Sequence, residues 1–466
     1  MTEENKTQDI YFEYQKPMPD LPIGMKGNQE IKEGFKTFLD EVWKKYKEEM
    51  PEKYWRDENI ENDEDIETKQ PFLYFDGDKF KPKNYIGFIK YKDFSFNIYP
   101  KICEDEYKND ESENKNVSKQ NINQMIYLWL QYSDNTILPK IETGLDEISD
   151  YDFMEFLIYL FAKYTSDLLS ISIYQHYEEI SEETPFLKGK LNFNEYVKNC
   201  AMGKAHKFHC TYDSFEMNNT FNQIIKFVAK SLLNIAKKDN NINYLNDIIF
   251  QLDEVDDVVC NYATCEKVYI NRFMGEFNTV LDYCKMFLKN AVTFNEIGDI
   301  DSFAFLLRTE VLFEDFISNF AAEKITDFKI EPQVKSALDT ANNFHIKPDL
   351  IIKDGDTIKK IIDIKYKKVN SHKDVSNADI YQCVTYSVKL GCDDVTLLYP
   401  IFNSKENTNN SIEEITIEPK EGKKINLKFE FIECCTCNVN KDDLEDKIKQ
   451  RLEGIIKEKN NDNGSN

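Results

Sequence analysis

The 466-residue sequence lacks any apolar run that approaches the roughly 20 residues needed to cross a bilayer. Its first eleven residues are polar and acidic, without the apolar core of a secretory signal peptide. Its 11 cysteines are odd in number and scattered along the chain, which does not suit a secreted disulfide framework. We therefore expect a cytoplasmic protein with free thiols and no membrane partner.

Positive charge is also scarce. The 59 lysine and arginine residues face 84 aspartate and glutamate residues, so the formal net charge is −25. Because phosphate contacts need lysine and arginine, this balance argues against a protein that binds DNA unaided. Two interpretations stay open: acidity that only keeps the protein soluble, or a protein that acts on DNA held by a basic partner.

A phosphate-binding loop of the form G-x-x-x-x-G-K-[ST] is missing as well. Gly189-Lys190 and Gly203-Lys204 lack both the preceding glycine and the following serine or threonine. The chain alone is therefore not expected to hydrolyse a nucleotide.

The cysteines and histidines form no pattern that is strongly typical of a metal site. Cys434, Cys435 and Cys437 form a tight cluster, but a zinc site would need further ligands at an ordinary spacing, so we favour plain thiols. His206 and His209 have no carboxylates close by in the sequence, and we favour no metal there either. The segment Lys198–His209 that holds them is equally consistent with a DNA-contacting loop and with an ordinary surface turn.

What is present is enough apolar material, 41% of residues, for several cores, and the pattern predicts a multidomain α+β or α/β protein. Residues 1–121 form the first predicted domain, a small β module. It contains a helix at 30–49, strands at 72–75, 85–91 and 94–99, an acidic loop at 56–69 and a flexible acidic loop at 104–121.

Residues 122–300 form a predicted helical middle region. Dense aliphatic and aromatic residues at helical spacing indicate helices at 122–132, 151–177, 215–236, 244–255 and 272–291.

Residues 301–459 form the last predicted domain, a mixed sheet flanked by helices, followed by a disordered polar tail at 460–466. The predicted helices cover 303–325, 377–390 and the segment striped by Leu444, Ile448, Leu452 and Ile455. Gly391 should end the second of these helices. Strands are expected at 349–352, 358–366, 395–402 and 425–431.

The sharpest chemical feature of this domain is Pro348-Asp349, followed by Asp363-Ile364-Lys365. Since side chains two apart in a strand share a face, Asp363 and Lys365 point the same way. An Asp354-Gly355 hairpin turn can bring Asp349 beside Asp363. Two carboxylates and one ammonium then converge.

Such a constellation suits phosphodiester hydrolysis. Mg²⁺ prefers a few hard oxygen ligands plus water, and the two aspartates with the carbonyl of Ile364 supply them. The metal can lower the pKa of bound water and stabilise the leaving oxygen, while Lys365 orients the attacking water or offsets charge at phosphorus. Glu314, on the preceding helix, is a further candidate that reaches the metal directly or through water.

The alternative is an ordinary charged hairpin with Asp363 and Lys365 on an exposed edge. Against it, the run Ile361-Ile362-Asp363-Ile364 embeds an acid among apolar residues, and a buried carboxylate without a partner costs several kcal/mol. The spacing by itself leaves both interpretations open.

Several ordered segments resemble the nuclease region of the McrC family, the cleavage subunit of McrBC-type modification-dependent restriction systems and part of the PD-(D/E)xK nuclease superfamily. They are Leu312–Phe316, Ile346–Leu350, Ile361–Lys367, Asp379–Tyr386 and Leu397–Pro400. Gln382 and Tyr386 share a helical face, and the resemblance implies that Gln382 lies near the metal site. Segments 87–102, 186–191 and 218–222 resemble upstream McrC regions less specifically.

The resemblance implies an Mg²⁺-dependent endonuclease that cleaves double-stranded DNA containing methylcytosine. It also implies an McrB-like AAA+ GTPase as partner, which alone binds GTP; the N-terminal module would dock on it and stimulate it. Two alternatives stay open: a non-catalytic adaptor that only activates an AAA+ partner, and a defence nuclease with another motor.

Overall fold

The computed structural model describes most of the chain. The described residues are 9–49, 70–109, 116–133, 151–270, 272–294, 300–338, 345–402, 414–420, 422–435 and 441–457. The predicted loop at 56–69 and the predicted tail at 460–466 lie outside them.

The chain divides into two compact units. The first joins Met1–Phe153 to Ser302–Asn466, and the second is Met154–Asp301. The architecture is mixed α+β with several sheets, as the sequence predicts. The domain ranges 1–121, 122–300 and 301–459 stay a prediction.

The first unit contains two main sheets and their covering helices. Its strands are β1 Asp9–Phe12, β2 Leu73–Asp76, β3 Lys79–Pro82, β4 Tyr85–Tyr91, β5 Phe94–Tyr99, β10 Ile300–Arg308, β11 Lys329–Pro332, β12 Ser336–Ala337, β13 His345–Ile346, β14 Leu350–Asp354, β15 Thr357–Ile364, β16 Asp394–Pro400, β17 Ile415–Lys420 and β18 Lys423–Ile432. Its helices are Gln29–Glu49, Glu104–Asn109, Asn116–Gln131, Thr309–Lys324, Asn377–Leu390 and Lys441–Lys457, with short 3-10 turns at Lys101–Cys103 and His372–Asp374.

Within the first unit, the strands of the N-terminal sheet have the order β1-β5-β4-β10. β1 runs parallel to β5, while β4 is antiparallel to both β5 and β10. The helix Gln29–Glu49 covers the sheet, and Phe35 stacks on Phe96 with ring centroids 5.0 Å apart. The predicted N-terminal helix and the predicted strands at 85–91 and 94–99 are confirmed.

Gly87 allows β4 and β10 to approach each other. Its φ is +137°, and a Cβ at this position would lie 2.0 Å from the carbonyl oxygen of Phe305. Only glycine fits there without moving one of the strands. The strand that leads into the helix Thr309–Lys324 is thereby joined to the N-terminal sheet.

The second sheet has the order β11-β14-β15-β16-β18-β17. β14 and β15 form the predicted hairpin, and β15, β16 and β18 run parallel to one another. The helix Asn377–Leu390 covers one face, where Cys383 and Tyr386 pack with Ile361 and Leu397. Gly391 ends this helix in the left-handed conformation, as predicted. A mixed sheet flanked by helices is therefore confirmed for this region.

Two predictions for the first unit are wrong. Residues 303–308 belong to strand β10 rather than to a helix, because a fully buried apolar run has no period that separates a strand from a helix. Part of the predicted loop at 104–121 is helical: Glu104–Asn109 forms one helix, and Asn116 begins the helix that buries Ile122 and Met125. Polar composition hid these turns because only the later part of the second helix supplies core residues.

The second unit is built from helices and a small sheet. Its helices are Phe153–Ile171, Phe193–Ala201, Thr220–Leu233, Asp239–Gln251, Tyr262–Cys265 and Glu276–Asn290, with a 3-10 turn at Arg272–Met274; its strands are β6 His176–Thr184, β7 Lys190–Leu191, β8 Phe208–Glu216 and β9 Ala291–Phe294. The sheet β6-β8-β7 was not predicted, and the helix predicted from 215 begins at Thr220, after the Asn219 cap. Alternating polar residues in β6 and β8 obscured their strand character, since neither face is strongly apolar.

None of the described helices combines the length and apolar character that crossing a membrane would require.

Candidate functional site

The hairpin β14–β15 brings Asp349 and Asp363 together. Leu350 pairs with Ile362, so the next position in the antiparallel register places Asp349 opposite Asp363. The backbone N–H of Ile364 donates to Asp349 Oδ2 at 2.7 Å. The turn at Gly355, with φ +60°, closes the hairpin as the sequence predicts.

Asp349 is also held through its backbone. Gln333 N–H donates to the carbonyl oxygen of Asp349 at 2.8 Å, just after β11 pairs with β14. With the bond to Ile364, this fixes both the main chain and the carboxylate of Asp349 against the sheet.

Asp363 lies in the middle of the sheet, between β14 and β16, and its exposed fraction is 1%. Lys365 Nζ lies 3.0 Å from Asp363 Oδ2. The contact is an ion pair rather than an aligned hydrogen bond, and Oδ2 accepts no well-directed hydrogen bond from the described part of the chain. The interpretation as an exposed charged edge is therefore wrong for Asp363.

Glu314 lies on the helix Thr309–Lys324, and its side chain is partly buried. It interacts electrostatically with Asp349, Asp363 and Lys365. Burial, followed by repulsion from Asp349, raises the pKa of Glu314 well above its usual range, and Lys365 opposes the rise. Glu314 thus shares one electrostatic environment with the predicted site.

Burial has the largest effect on the pKa values of Asp349 and Asp363. It raises the pKa of Asp349 to about 7, with a further rise from Asp363 and an opposing effect of Lys365. Burial likewise raises the pKa of Asp363 against the lowering effect of Lys365. For Lys365, burial alone would lower the pKa, but Asp363, Asp349 and Glu314 outweigh it and raise the pKa above its ordinary value.

This donor set fits a hard divalent cation. Buried neighbouring carboxylates repel each other and disfavour their charged forms, which a cation would stabilise. Asp363 Oδ2, buried without a directed hydrogen bond, is an acceptor available to such an ion. Across the described ranges, however, no three His, Cys, Asp or Glu side chains gather as a metal-binding group, so two carboxylates are what the site offers. The Ile364 carbonyl stays a predicted ligand.

Gln382 reaches the site through a neighbour. Its Nε2 donates to the hydroxyl of Tyr386 at 2.6 Å, and that hydroxyl donates to the carbonyl oxygen of Lys347 at 3.2 Å. Lys347 lies two residues before Asp349. Burial raises the pKa of Tyr386 above its usual range, and the charges of Asp363 and Asp349 add to the rise.

Sequence reasoning gave no role to Asp379 and Lys367, although both lie in segments that it singled out. Lys367 Nζ contacts both oxygens of the buried Asp379, at 2.9 and 2.8 Å. Asp379 in turn raises the pKa of Asp363. The alternation Asp363, Lys365, Lys367 along the sequence was the sign that could have found this second ion pair.

The remaining candidates lie elsewhere. Lys198 pairs with Glu195 at 2.7 Å, and Lys207 with Glu183 at 3.4 Å. Within the described residues His206 and His209 belong to no metal-binding group. Cys434 and Cys435 are buried free thiols, with Cys435 Sγ 3.9 Å from Cys103 Sγ, while Cys437 lies outside the described residues.

Comparison with known proteins places the chain. The sequence profile of the family described as "McrBC 5-methylcytosine restriction system component" matches residues 80–400, well over half of the sequence. The chain belongs to the McrBC family. The matched range includes Glu314, Asp349, Asp363, Lys365 and Gln382, whereas no curated protein sequence matches the chain.

A solved structure from the McrBC system shares the fold of this chain. A chain of the refined half-complex from the tetradecameric assembly of Thermococcus gammatolerans McrB AAA+ hexamers with bound McrC has a TM-score of 0.70 at 16% identity, covering 96% of this chain and 100% of that chain. A chain of the cryo-EM structure of the Thermococcus gammatolerans McrBC complex has a TM-score of 0.49 at 17% identity, covering 69% and 89%. The first likeness shows a common architecture over almost the whole chain.

Proposed function

We propose that this McrBC component is an Mg²⁺-dependent DNA endonuclease subunit of the PD-(D/E)xK type. The proposal rests on the convergence of Asp349, Asp363 and Lys365 at the open end of one hairpin, opposite its turn. A buried acid pair beside a lysine, at this place in a mixed sheet, is costly unless it serves chemistry or binds a cation.

Asp349, Asp363 and the carbonyl of Ile364 would hold the metal. Bound there, Mg²⁺ supplies a water of lowered pKa and neutralises charge on the scissile phosphate. Lys365, at 3.0 Å from Asp363, is placed to donate to the attacking water or to a phosphate oxygen. Glu314 would accept a hydrogen bond from the attacking water. The Tyr386 hydroxyl, which accepts from Gln382, holds the segment before Asp349 in place.

The substrate and the partner follow from charge and family. A chain with net charge −25 needs another protein to hold double-stranded DNA. Its family is a 5-methylcytosine restriction system, and the solved relative contains McrB AAA+ hexamers with bound McrC. We therefore infer an McrB-like AAA+ GTPase partner that delivers methylated DNA in the cytoplasm, docks on the N-terminal module and is stimulated by it.

The test is cleavage of methylated plasmid DNA by the complex reconstituted with its AAA+ partner, GTP and Mg²⁺. Asp363→Ala and Lys365→Ala should each lower the rate by about a thousandfold, as loss of a charge-stabilising group does. Asp354→Ala and Lys359→Ala, an exposed pair in the same hairpin, should cleave like the wild type. Cleavage that survives both site substitutions would show that the active site lies elsewhere.

The adaptor alternative and the alternative motor predict different results in GTPase, Mg²⁺-binding and cleavage assays. A non-catalytic adaptor would stimulate the GTPase while calorimetry detects no Mg²⁺ binding that depends on Asp349 and Asp363. A nuclease of another defence system would bind Mg²⁺ but would cut without methylated cytosine or with a different AAA+ protein.

A further inference from the structure

Glu13 is a buried acid far from the site in sequence. It follows β1 directly, and its exposed fraction is 0%. Its carboxyl oxygens accept hydrogen bonds from three groups: the Thr309 hydroxyl, the Lys101 backbone N–H at 3.2 Å and the Tyr366 hydroxyl at 3.3 Å. Glu13 thus joins the end of β1 to two segments of the C-terminal region.

Those two segments are the ones that carry the proposed site. Tyr366 is the residue after Lys365, and Thr309 is the first residue of the helix that carries Glu314. The Tyr366 ring packs against Phe313, the residue before Glu314, with centroids 5.5 Å apart. One carboxyl group therefore contacts both the strand end and the helix start.

Lys101 contacts the same tyrosine. Its Nζ donates to the carbonyl oxygen of Tyr366 at 3.4 Å and lies 4.7 Å from the centroid of the Tyr366 ring. Lys101 belongs to the segment 87–102, which resembles an upstream McrC region, and the sequence predicted no role for this lysine. Glu13 and Lys101 together bind the hydroxyl, the ring and the main chain of one residue.

Simple packing does not account for this arrangement. A buried carboxyl group costs free energy that an apolar side chain of similar volume would avoid. Its hydrogen bonds must therefore do more than fill space in the core. Hydrogen bonds have direction, and they fix position more narrowly than apolar contacts do. The neighbours of Tyr366, Trp129 and Phe402, already exclude water from it.

We infer that Glu13 is a positioning residue for the nuclease site: through Tyr366 and Thr309 it sets the placement of Lys365 and Glu314 relative to the Asp349–Asp363 pair. The inference rests on the proposed nuclease function. The N-terminal sheet thereby helps to position the site on the C-terminal sheet. Glu13 and Lys101 are its two contacts with Tyr366.

The test uses three variants of the full chain in the reconstituted complex. Glu13→Leu removes the acceptor, Tyr366→Phe removes only the donor hydroxyl, and Glu13→Gln keeps an acceptor. At saturating Mg²⁺ and DNA, the first two should lower kcat about 10- to 100-fold with little change in KM, as small misplacement of catalytic groups does. Glu13→Gln should stay within about threefold of the wild type, and so should the exposed control Glu33→Leu.

A double variant separates positioning from lost stability. Glu13→Leu/Tyr366→Phe should be no slower than the slower single variant, because each substitution removes the same Glu13–Tyr366 hydrogen bond. All assays run at least 15 °C below the melting temperature of each variant. If Glu13→Leu does not fold, Tyr366→Phe still tests the contact, because it keeps the packed ring and loses only the hydroxyl group. Wild-type kcat in folded Tyr366→Phe, additive effects, or a Glu13→Gln as slow as Glu13→Leu would overturn the inference.

Failure of the proposed function would look different. In that case the wild type itself would not cleave, and calorimetric Mn²⁺ binding becomes the readout. Weaker Mn²⁺ binding in Tyr366→Phe, but not in Glu33→Leu, would still support positioning of Lys365 and Glu314 beside the acid pair. Equal binding by all the variants, or no binding by the wild type, would overturn it.

Discussion

Burial makes the acidic residues around the site sensitive to their neighbours. Asp349 and Glu13 each have a pKa near 7, and in both cases burial is the main cause. They differ in what opposes the rise: Lys365 for Asp349, and Lys101 with the Thr309 hydroxyl for Glu13. An isolated buried carboxyl group favours its neutral form, so each acid depends on a particular partner for its charge.

Glu13 should make stability depend on pH. Its pKa rises from 4.5 to about 7 on folding, so the folded protein binds this proton more tightly than the unfolded chain. Stability contributed by the protonated form is present below pH 4.5 and is lost as the pH rises toward 7, by roughly 3 kcal/mol. Glu13→Gln should lose less stability than the wild type between pH 5 and pH 8.

Urea unfolding in EDTA at the two pH values measures this effect. The relevant quantity is the difference in unfolding free energy between pH 5 and pH 8, compared between the wild type and Glu13→Gln. Equal losses in the two proteins would mean that Glu13 does not titrate in this range.

At the scale of elements, a hairpin and a helix build the site together. β14 and β15 align the two aspartates, and the helix Asn377–Leu390 covers the sheet beside them. The Tyr386 hydroxyl links the helix to the Lys347 carbonyl oxygen, at the point where the chain enters the first acidic position. Helix and hairpin are therefore coupled by one hydroxyl group.

Tyr386→Phe should make the segment before Asp349 more mobile, while its ring still fills the core. We expect about 1 kcal/mol of lost stability from the missing hydrogen bonds and a cleavage rate about tenfold lower at saturating DNA. Tyr381→Phe on the same helix is the matched control, since Tyr381 is 68% exposed. Thermal unfolding and single-turnover cleavage measure the two effects, and similar rates for the two variants would argue against the coupling.

At the scale of the whole molecule, the first unit is assembled from the two ends of the chain. Trp129 packs on Phe313 at 5.4 Å, β10 pairs with β4, and Glu13 binds Tyr366. The predicted nuclease domain, 301–459, therefore completes its core with residues from the first 153 positions.

Residues 302–466 alone should then fail to fold. They would expose Phe313 and Tyr366 and leave β10 without its partner strand. A chain that joins residues 1–153 to 302–466 through a short Gly/Ser linker should unfold cooperatively, since the Phe153 and Phe305 rings lie 5.6 Å apart. Circular dichroism during heating distinguishes these outcomes, and cooperative melting of 302–466 alone would contradict the shared core.

Local pattern alone determined much of the region proposed to be a nuclease. The Asp354-Gly355 turn, the alternation around Asp363, the helix ended by Gly391 and the convergence of Asp349, Asp363 and Lys365 all depend on contacts between residues near in sequence. Short-range rules of turn and strand geometry are enough for such contacts.

Only the tertiary structure decided what distant segments do to one another. β10 is a strand because β4 lies beside it, and Gly87 is required because Phe305 approaches it. Glu13 meets Tyr366 across 353 positions, and no periodicity in the sequence encodes that meeting. Burial, strand pairing and charge at such positions arise from the packing of the whole unit. Only this packing brings Glu13, just after β1, to the residues that it positions in the proposed nuclease site.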